Sequence, residues 1–210
     1  MTHRIFQLPV GPIQTNCYLV ADEESKAAAL IDPGGDAPHL LAMLAERQWH
    51  LNYVLLTHAH FDHIGAVAEI VEATHARLAV HPLELPLLRQ RGGAAAFGLH
   101  IRPCPEPDIL LEPGQVIEVG ALRLTVLFVP GHTVGHVVFY ESAINVVFGG
   151  DVLFKDGIGR TDLPGGDYNT LMHSIREVLF ALPDTTTVCS GHGPTTTIGD
   201  EKKYNPFMAE

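Results

Sequence analysis

The segment Thr57-His58-Ala59-His60-Phe61-Asp62-His63 decides how this chain is read. Three histidines and one aspartate fall within six residues, directly after the apolar run 51–56. Such a run reads as a buried strand, and strand ends are where a rigid scaffold presents side chains to a site. The spacing His-x-His-x-Asp-His does not place two ligands one helical turn apart, as the His-Glu-x-x-His pattern does. It suits a loop that gathers its side chains around more than one ion. A plain polar turn has no need of so many metal-competent groups.

Working outward, three further positions share a pattern. His132 stands in Val129-Pro130-Gly131-His132-Thr133, Asp151 in Phe148-Gly149-Gly150-Asp151, and His192 in Ser190-Gly191-His192-Gly193. Each is a ligand-type residue at the end of an apolar stretch, beside a glycine that lets backbone approach a site closely. Taken singly, each would be an ordinary loop residue. Their coincidence with the 58–63 cluster makes them candidate ligands. Histidine is the commonest metal ligand, and 13 histidines in 210 residues is the outlier of this composition.

The flanking sequence predicts short strands at 5–8, 17–21, 27–31, 51–56 and 78–80. Helices are expected at 37–48 and 64–74, where apolar residues recur at helical spacing. Asp32-Pro33-Gly34-Gly35-Asp36 is a strong turn signal, with Asp36 a candidate N-cap and Pro38 in the permissive first turn. Segment 89–108 is Gly-, Ala- and Pro-rich and reads as a connecting loop, with a lid as the alternative. Further strands are expected at 116–119, 122–129, 137–140, 146–148 and 186–189, and helices at 168–182 and 199–204. Strands meet helices in both halves without a regular βαβ alternation. Two sheets, each covered on its outer face by helices, would bury both patterns.

Composition bounds the function. A chain of 210 residues, 46% hydrophobic and 18% charged, is expected to form one globular domain over 1–210. Asp and Glu total 24 against 13 Lys and Arg, a formal charge of −11. That balance argues against broad nucleic-acid binding, which needs cations to neutralise phosphates. Cys17, Cys104 and Cys189 are too few for a disulfide framework, so a reducing cytoplasm is the expected setting. The opening MTHRIFQLPVGP lacks the apolar core of a signal peptide, and no apolar run reaches membrane-spanning length. No membrane partner is expected.

The ordered set His58, His60, Asp62, His63, His132, Asp151 and His192 resembles the metallo-β-lactamase superfamily. The stretches GPIQTNCYLV, IDPGGD, GHTVGH and FGGDVLF are similar to glyoxalase-II-like hydrolases. GIGRTDLPGGD and SGHGPTTTIGDEKKYNPF resemble their compact bacterial branch. The resemblance implies a four-layer αββα sandwich. It implies that His58, His60 and His132 hold one divalent transition metal, that Asp62, His63 and His192 hold a second, and that Asp151 bridges them. Imidazole and carboxylate donors suit zinc, with iron and manganese as alternatives. The implied activity is hydrolysis of a small-molecule thioester such as S-lactoylglutathione, by a hydroxide shared between the metals and oriented by Asp62. A monomer or small homo-oligomer is expected.

Larger glyoxalase II enzymes add a C-terminal helical domain whose basic residues help hold glutathione. Eighteen residues follow His192 here, so substrate contacts are expected instead from Arg160, Lys155, Lys202, Lys203 and Tyr204. The main alternative is a sulfur (persulfide) dioxygenase holding a single iron through His58, His132 and Asp151. A lactonase, a nuclease or a non-catalytic metal-binding protein are others. His136, four residues after His132, is a candidate supporting donor. Cys17 and Cys189 read as core residues, and Cys104 as an exposed one without a nucleophile's surroundings.

Overall fold

The computed structural model describes residues 3–208. One six-stranded sheet runs in sequence order through β1 (His3–Val10), β2 (Thr15–Asp22), β3 (Ala27–Ile31), β4 (His50–Leu55), β5 (Arg77–Val80) and β6 (Ile109–Leu110). Strands β1 to β3 are antiparallel and β3 to β6 parallel. The crossovers are α1 (Ala37–Glu46), then the pair α2 (Phe61–Ile64) and α3 (Val67–Thr74). A 3-10 turn at Pro82–Glu84 leads into α4 (Leu85–Arg89).

The second sheet holds β7 (Val116–Val119), β8 (Leu122–Phe128), β9 (Val137–Glu141), β10 (Val146–Gly150), β13 (Thr187–Ser190) and β14 (Thr196–Thr197), in the order β14-β13-β10-β9-β8-β7. A two-stranded ribbon, β11 (Leu153–Phe154) and β12 (Gly157–Ile158), stands between β10 and the helix α5 (Tyr168–Ser174). Helix α6 (Ile198–Tyr204) follows β14.

The alternation of side chains along a strand makes the layers. In β2 all eight residues are buried, because both faces are covered. Tyr18 and Val20 point between the sheets, where they join Ile31 and Leu55 against Leu124, Val126, Phe139 and Phe148. Cys17 and Leu19 point outward, under Leu40, Leu44, Val67 and Ile70 of α1 and α3. On the far side Val138, Val147 and Val188 meet Leu171, Ile175 and Ile198. The expected layering of helix, sheet, sheet, helix is therefore present, with three apolar layers between.

Several local expectations are corrected. The helix expected over 64–74 begins only at Val67; Ile64 ends the separate short helix α2, and between them the Ala66 N–H bonds to Pro33 O at 2.9 Å and pins the chain to the preceding turn. The helix expected over 168–182 is α-helical only to Ser174 and continues as a π turn at Ile175–Leu179. The helix expected over 37–48 ends at Glu46, and Gln48 takes a positive φ of 56°. Asp36 precedes α1 but does not cap it with its side chain; the carboxylate accepts instead from Gly11 N–H at 2.8 Å. Cys104 is half-buried against the first core layer. Segment 27–80 does alternate strand, helix, strand, helix, strand, which the irregular spacing of apolar runs concealed.

Candidate metal centre

The candidate ligands arrive from the C-terminal ends of strands. Segment 57–63 follows β4, His132 follows β8, Asp151 follows β10 and His192 follows β13. Two groups of side chains converge, His58 with His60 and His132, and Asp62 with His63 and His192. Their ligand atoms lie within 4.8 Å of one another in each group. Asp151 lies between the groups. Its Oδ2 is 3.7 Å from His132 Nε2 and 3.5 Å from His192 Nε2, and its Oδ1 is 3.4 Å from His63 Nε2. Asp62 Oδ2 is 3.4 Å from His63 Nε2 and 3.2 Å from His192 Nε2. All seven sequence candidates are thus brought together.

The imidazoles are held in defined tautomers by partners behind them. His132 Nδ1 lies 2.7 Å from the Arg160 carbonyl, which can only accept, so Nδ1 carries the proton and Nε2 presents a lone pair. His63 Nδ1 donates to Asp32 Oδ2 at 3.0 Å. The Thr57 hydroxyl spends its one proton on Asp32 Oδ2 at 2.6 Å, so at 3.0 Å it accepts from His58 Nδ1–H. Asp32 therefore orients two imidazoles, one directly and one through Thr57, as partners of metal-binding histidines do. Its other oxygen accepts from Thr57 N–H at 2.8 Å.

The electrostatics divide the two groups. Burial drives the His58 imidazole well below its usual pKa and His60 down to about 4, with neighbouring histidines adding to the effect. His132 is lowered mainly by burial, against the pull of Asp151. His60 Nδ1 lies 2.9 Å from His132 Nε2, and neutral imidazole is the ligand form of histidine. For Asp62, burial works to raise the carboxyl, but His63, His192 and the Thr15 hydroxyl outweigh it and hold it at about 2. Asp151 is likewise lowered despite burial. His63 is raised against burial by Asp151 and Asp62, and His192 similarly to about 9.

These residues fit a pair of divalent ions. His58 Nε2, His63 Nε2 and Asp151 Oδ1 are buried and lack a hydrogen-bond partner. Polar atoms orphaned this deep cost free energy, and His58 Nε2 and Asp151 Oδ1 offer lone pairs that a cation would meet. Gly191 is required by the same crowding, since a Cβ there would lie 2.2 Å from Asp151 Oδ1.

Two residues that sequence reasoning passed over, Asp32 and Glu84, complete the centre, together with His136, which was expected as a supporting donor and here accepts. Asp32 was legible only as a turn residue, although it ends an apolar strand and β3 is the parallel neighbour of β4. Glu84, 1% exposed, accepts from Ala59 N–H and from Gly135 N–H, each at 2.8 Å. It thereby ties the loop carrying His58 and His60 to the loop carrying His132. His136 is buried and stacks on His58 with ring centroids 4.8 Å apart. Its Nε2 accepts from Asp151 N–H at 3.1 Å, so it supports the backbone of Asp151.

The centre opens into a cleft of about 480 Å³, walled by Phe61, Phe97, Phe154, Ile158, Arg160 and Leu163 among others. Segment 89–108 is not a plain loop. Its 3-10 turn Arg91–Phe97 carries Phe97 to 5.0 Å from the Phe61 ring, forming one wall. Arg160 lines the cleft as expected, but its guanidinium is engaged by Asp162 through two 2.8 Å bonds. Lys155, Lys202, Lys203 and Tyr204 are not brought to this lining. Lys202 pairs with Asp184 at 2.6 Å, and the Lys203 ammonium sits 4.8 Å from the Tyr204 ring. Their closeness to His192 in the chain does not carry into space, because α6 turns them away along the outer layer.

The chain belongs to the metallo-beta-lactamase superfamily, whose family model matches residues 10–192. It is 41% identical over 209 residues to the hydroxyacylglutathione hydrolase GloC of Haemophilus influenzae, covering 96% of each chain. The crystal structure of the BLEG-1 B3 metallo-beta-lactamase superposes with a TM-score of 0.93 at 41% identity, over 99% of this chain and 100% of that one. The crystal structure of TTHA1623 in a di-iron-bound form superposes with a TM-score of 0.89 at 45% identity, over 96% of this chain and 99% of that one. Members of this superfamily are mainly metal-dependent hydrolases. Among the described residues no helix is long and apolar enough to cross a membrane.

Proposed function

We propose that the protein is a metal-dependent hydrolase of small thioesters, of which S-lactoylglutathione is the type. The observation that carries this reading is the pair of ligand groups meeting at Asp151 on the floor of an open cleft. His58, His60 and His132 would hold one ion, Asp62, His63 and His192 the other, with Asp151 between them. Zinc suits this donor set, and iron and manganese are compatible with it. Two bound ions would polarise a carbonyl and lower the pKa of a water to about 7.

The chain's own groups supply the rest. Asp62 stays ionised at neutral pH and is held by the Thr15 hydroxyl at 2.9 Å. It is placed to accept a hydrogen bond from the attacking water and to fix its direction. A thiolate leaves without help from a strong general acid, so the apolar remainder of the cleft is no obstacle to the chemistry. The GloC relative supports the thioester, and the unpaired cysteines support a reducing, cytoplasmic setting. The unit is proposed to be one hydrolase domain over 1–210, taking a small molecule rather than nucleic acid.

The test is a substrate panel run beside elemental analysis: S-lactoylglutathione, simple thioesters, a lactone and glutathione persulfide. Thioester hydrolysis with close to two metal ions per chain is expected. Oxygen uptake on persulfide with one iron per chain would replace this reading with a dioxygenase.

A further inference from the structure

Beside the main cleft lies a second, smaller pocket of about 180 Å³. It is lined by Val10, Ile13, Phe61, Leu99 and Ile101, and Asp62 also reaches it. Ile13, Phe61 and Asp62 line both spaces, so Ile13 and Phe61 form the partition and Asp62 stands where the two compartments meet. The Thr15 hydroxyl in the small pocket is already bonded to Asp62, and His100 lies exposed at its mouth. The rest of its side-chain wall is hydrocarbon. Two large apolar side chains of its lining stay exposed: Ile13 is 49% and Leu99 37% accessible. Among the described residues, Arg160 is the one arginine or lysine lining either space, and it lines the larger cleft.

A thioester has two arms that diverge from the carbonyl, an acyl group and a thiol. A reacting centre with two compartments can hold one arm in each. Resting on the thioester reading above, we infer that the small pocket takes the acyl arm and selects an unbranched apolar chain longer than lactoyl. The larger cleft, with Arg160 at its wall, takes the thiol arm and its polar groups. The physical basis is transfer of methylenes from water into a hydrocarbon-lined space. Each one fully buried is worth about a fourfold gain in specificity constant. Lactoyl, with a hydroxyl beside the carbonyl, gains little from such walls.

The experiment uses the metal-loaded full chain and a series of thioesters of one thiol, N-acetylcysteamine, with acetyl, butanoyl and hexanoyl groups. For the unmodified protein kcat/KM should rise at least about tenfold from acetyl to hexanoyl, which needs only partial burial of the added methylenes. Leu99→Trp, placed at the exposed rim, should block the pocket and flatten that rise, read as the hexanoyl-to-acetyl ratio of kcat/KM. Leu99→Ala adds no bulk and should lower the hexanoyl-to-acetyl ratio about two- to threefold through lost contact, so it serves if the tryptophan variant does not fold. A second series with one acetyl group and varied thiols should be indifferent to both substitutions. If acetyl thioester is hydrolysed but the wild-type profile is flat, or the rise survives Leu99→Trp or Leu99→Ala unchanged, the acyl assignment fails and the thioesterase reading stands. If no thioester is hydrolysed by protein carrying its metals, the reading of the function fails, and the acyl pocket with it.

Discussion

Glu84→Gln should weaken the metal centre from behind, without touching a ligand. The Glu84 carboxylate accepts two backbone N–H groups at 2.8 Å, one from Ala59 in the first ligand loop and one from Gly135 beyond His132. Burial pushes this carboxyl above its usual pKa, with the Thr133 hydroxyl and then the two N–H groups opposing the shift. A glutamine keeps one accepting oxygen and turns an NH2 toward the other N–H. One charge-assisted bond, worth about 1.5–3 kcal/mol, is lost, and a buried donor costing about 1–3 kcal/mol is orphaned. Relief of the buried charge offsets part of this, which leaves a net loss of about 2–4 kcal/mol. For a chain of this length the melting temperature of the metal-free protein should fall by about 5–15 °C. Glu84→Ala should fall further, since both donors lose their partner. Affinity at the His58, His60 and His132 site should drop about 10–100-fold, the usual cost of removing a ligand's support. Thermal unfolding in a chelator, followed by competition titration with a chromogenic metal indicator, measures both. A Glu84→Gln protein that melts with the wild type and holds metal as tightly would refute the strut. Gly135 belongs to the same device, since a Cβ there would lie 2.9 Å from Glu84 Cγ.

Three further outcomes are expected. Asp151→Ala should lose most of both ions by elemental analysis, because its carboxylate lies within 3.7 Å of His63, His132 and His192 together; full binuclear occupancy would contradict the bridging role. Asp62→Asn should cut kcat by about 100-fold or more with a smaller change in KM, measured on samples of known metal content; wild-type turnover in a fully metallated sample would remove Asp62 from the mechanism. Cys104→Ser should keep turnover near the wild-type value, as burial pushes that thiol up to about 12 and leaves it protonated; loss of activity in folded, metal-loaded protein would point to a covalent mechanism.

The candidate ligands were legible because their signal is local and chemical. A His-x-His-x-Asp-His run after a buried strand needs no tertiary information to stand out, and each remote ligand sits at a strand end beside glycine. The strands were legible for a similar reason, since β2 and β3 are buried on both faces and their centres read as apolar runs. The helix breaks were not. The division between α2 and α3 depends on Ala66 N–H finding Pro33 O, and the π turn at Ile175–Leu179 leaves no mark in an apolar spacing that is still helical.

The sequence by itself determined which residues can bind metal and where the longer strands and helices lie, and its acidic balance and sparse cysteines argue against broad nucleic-acid binding and a disulfide framework. Tertiary structure alone decided which residues hold the ligands in place and which line the cleft. Asp32 and Glu84 are 25 residues from their partners Thr57 and Ala59, and Glu84 is 51 from Gly135. Lys202, Lys203 and Tyr204, only ten to twelve residues beyond His192, are instead carried away from it by α6. Even the joining of the halves is long-range: Asn16 N–H and the Tyr18 hydroxyl on β2 donate to the carbonyls of Gly191 and Ser190 at 2.7 Å. Burial pattern and donor chemistry are written in neighbouring residues. A hydrogen bond between distant segments is set only when two sheets close on a shared apolar layer, and that closure is what gives the site its shape.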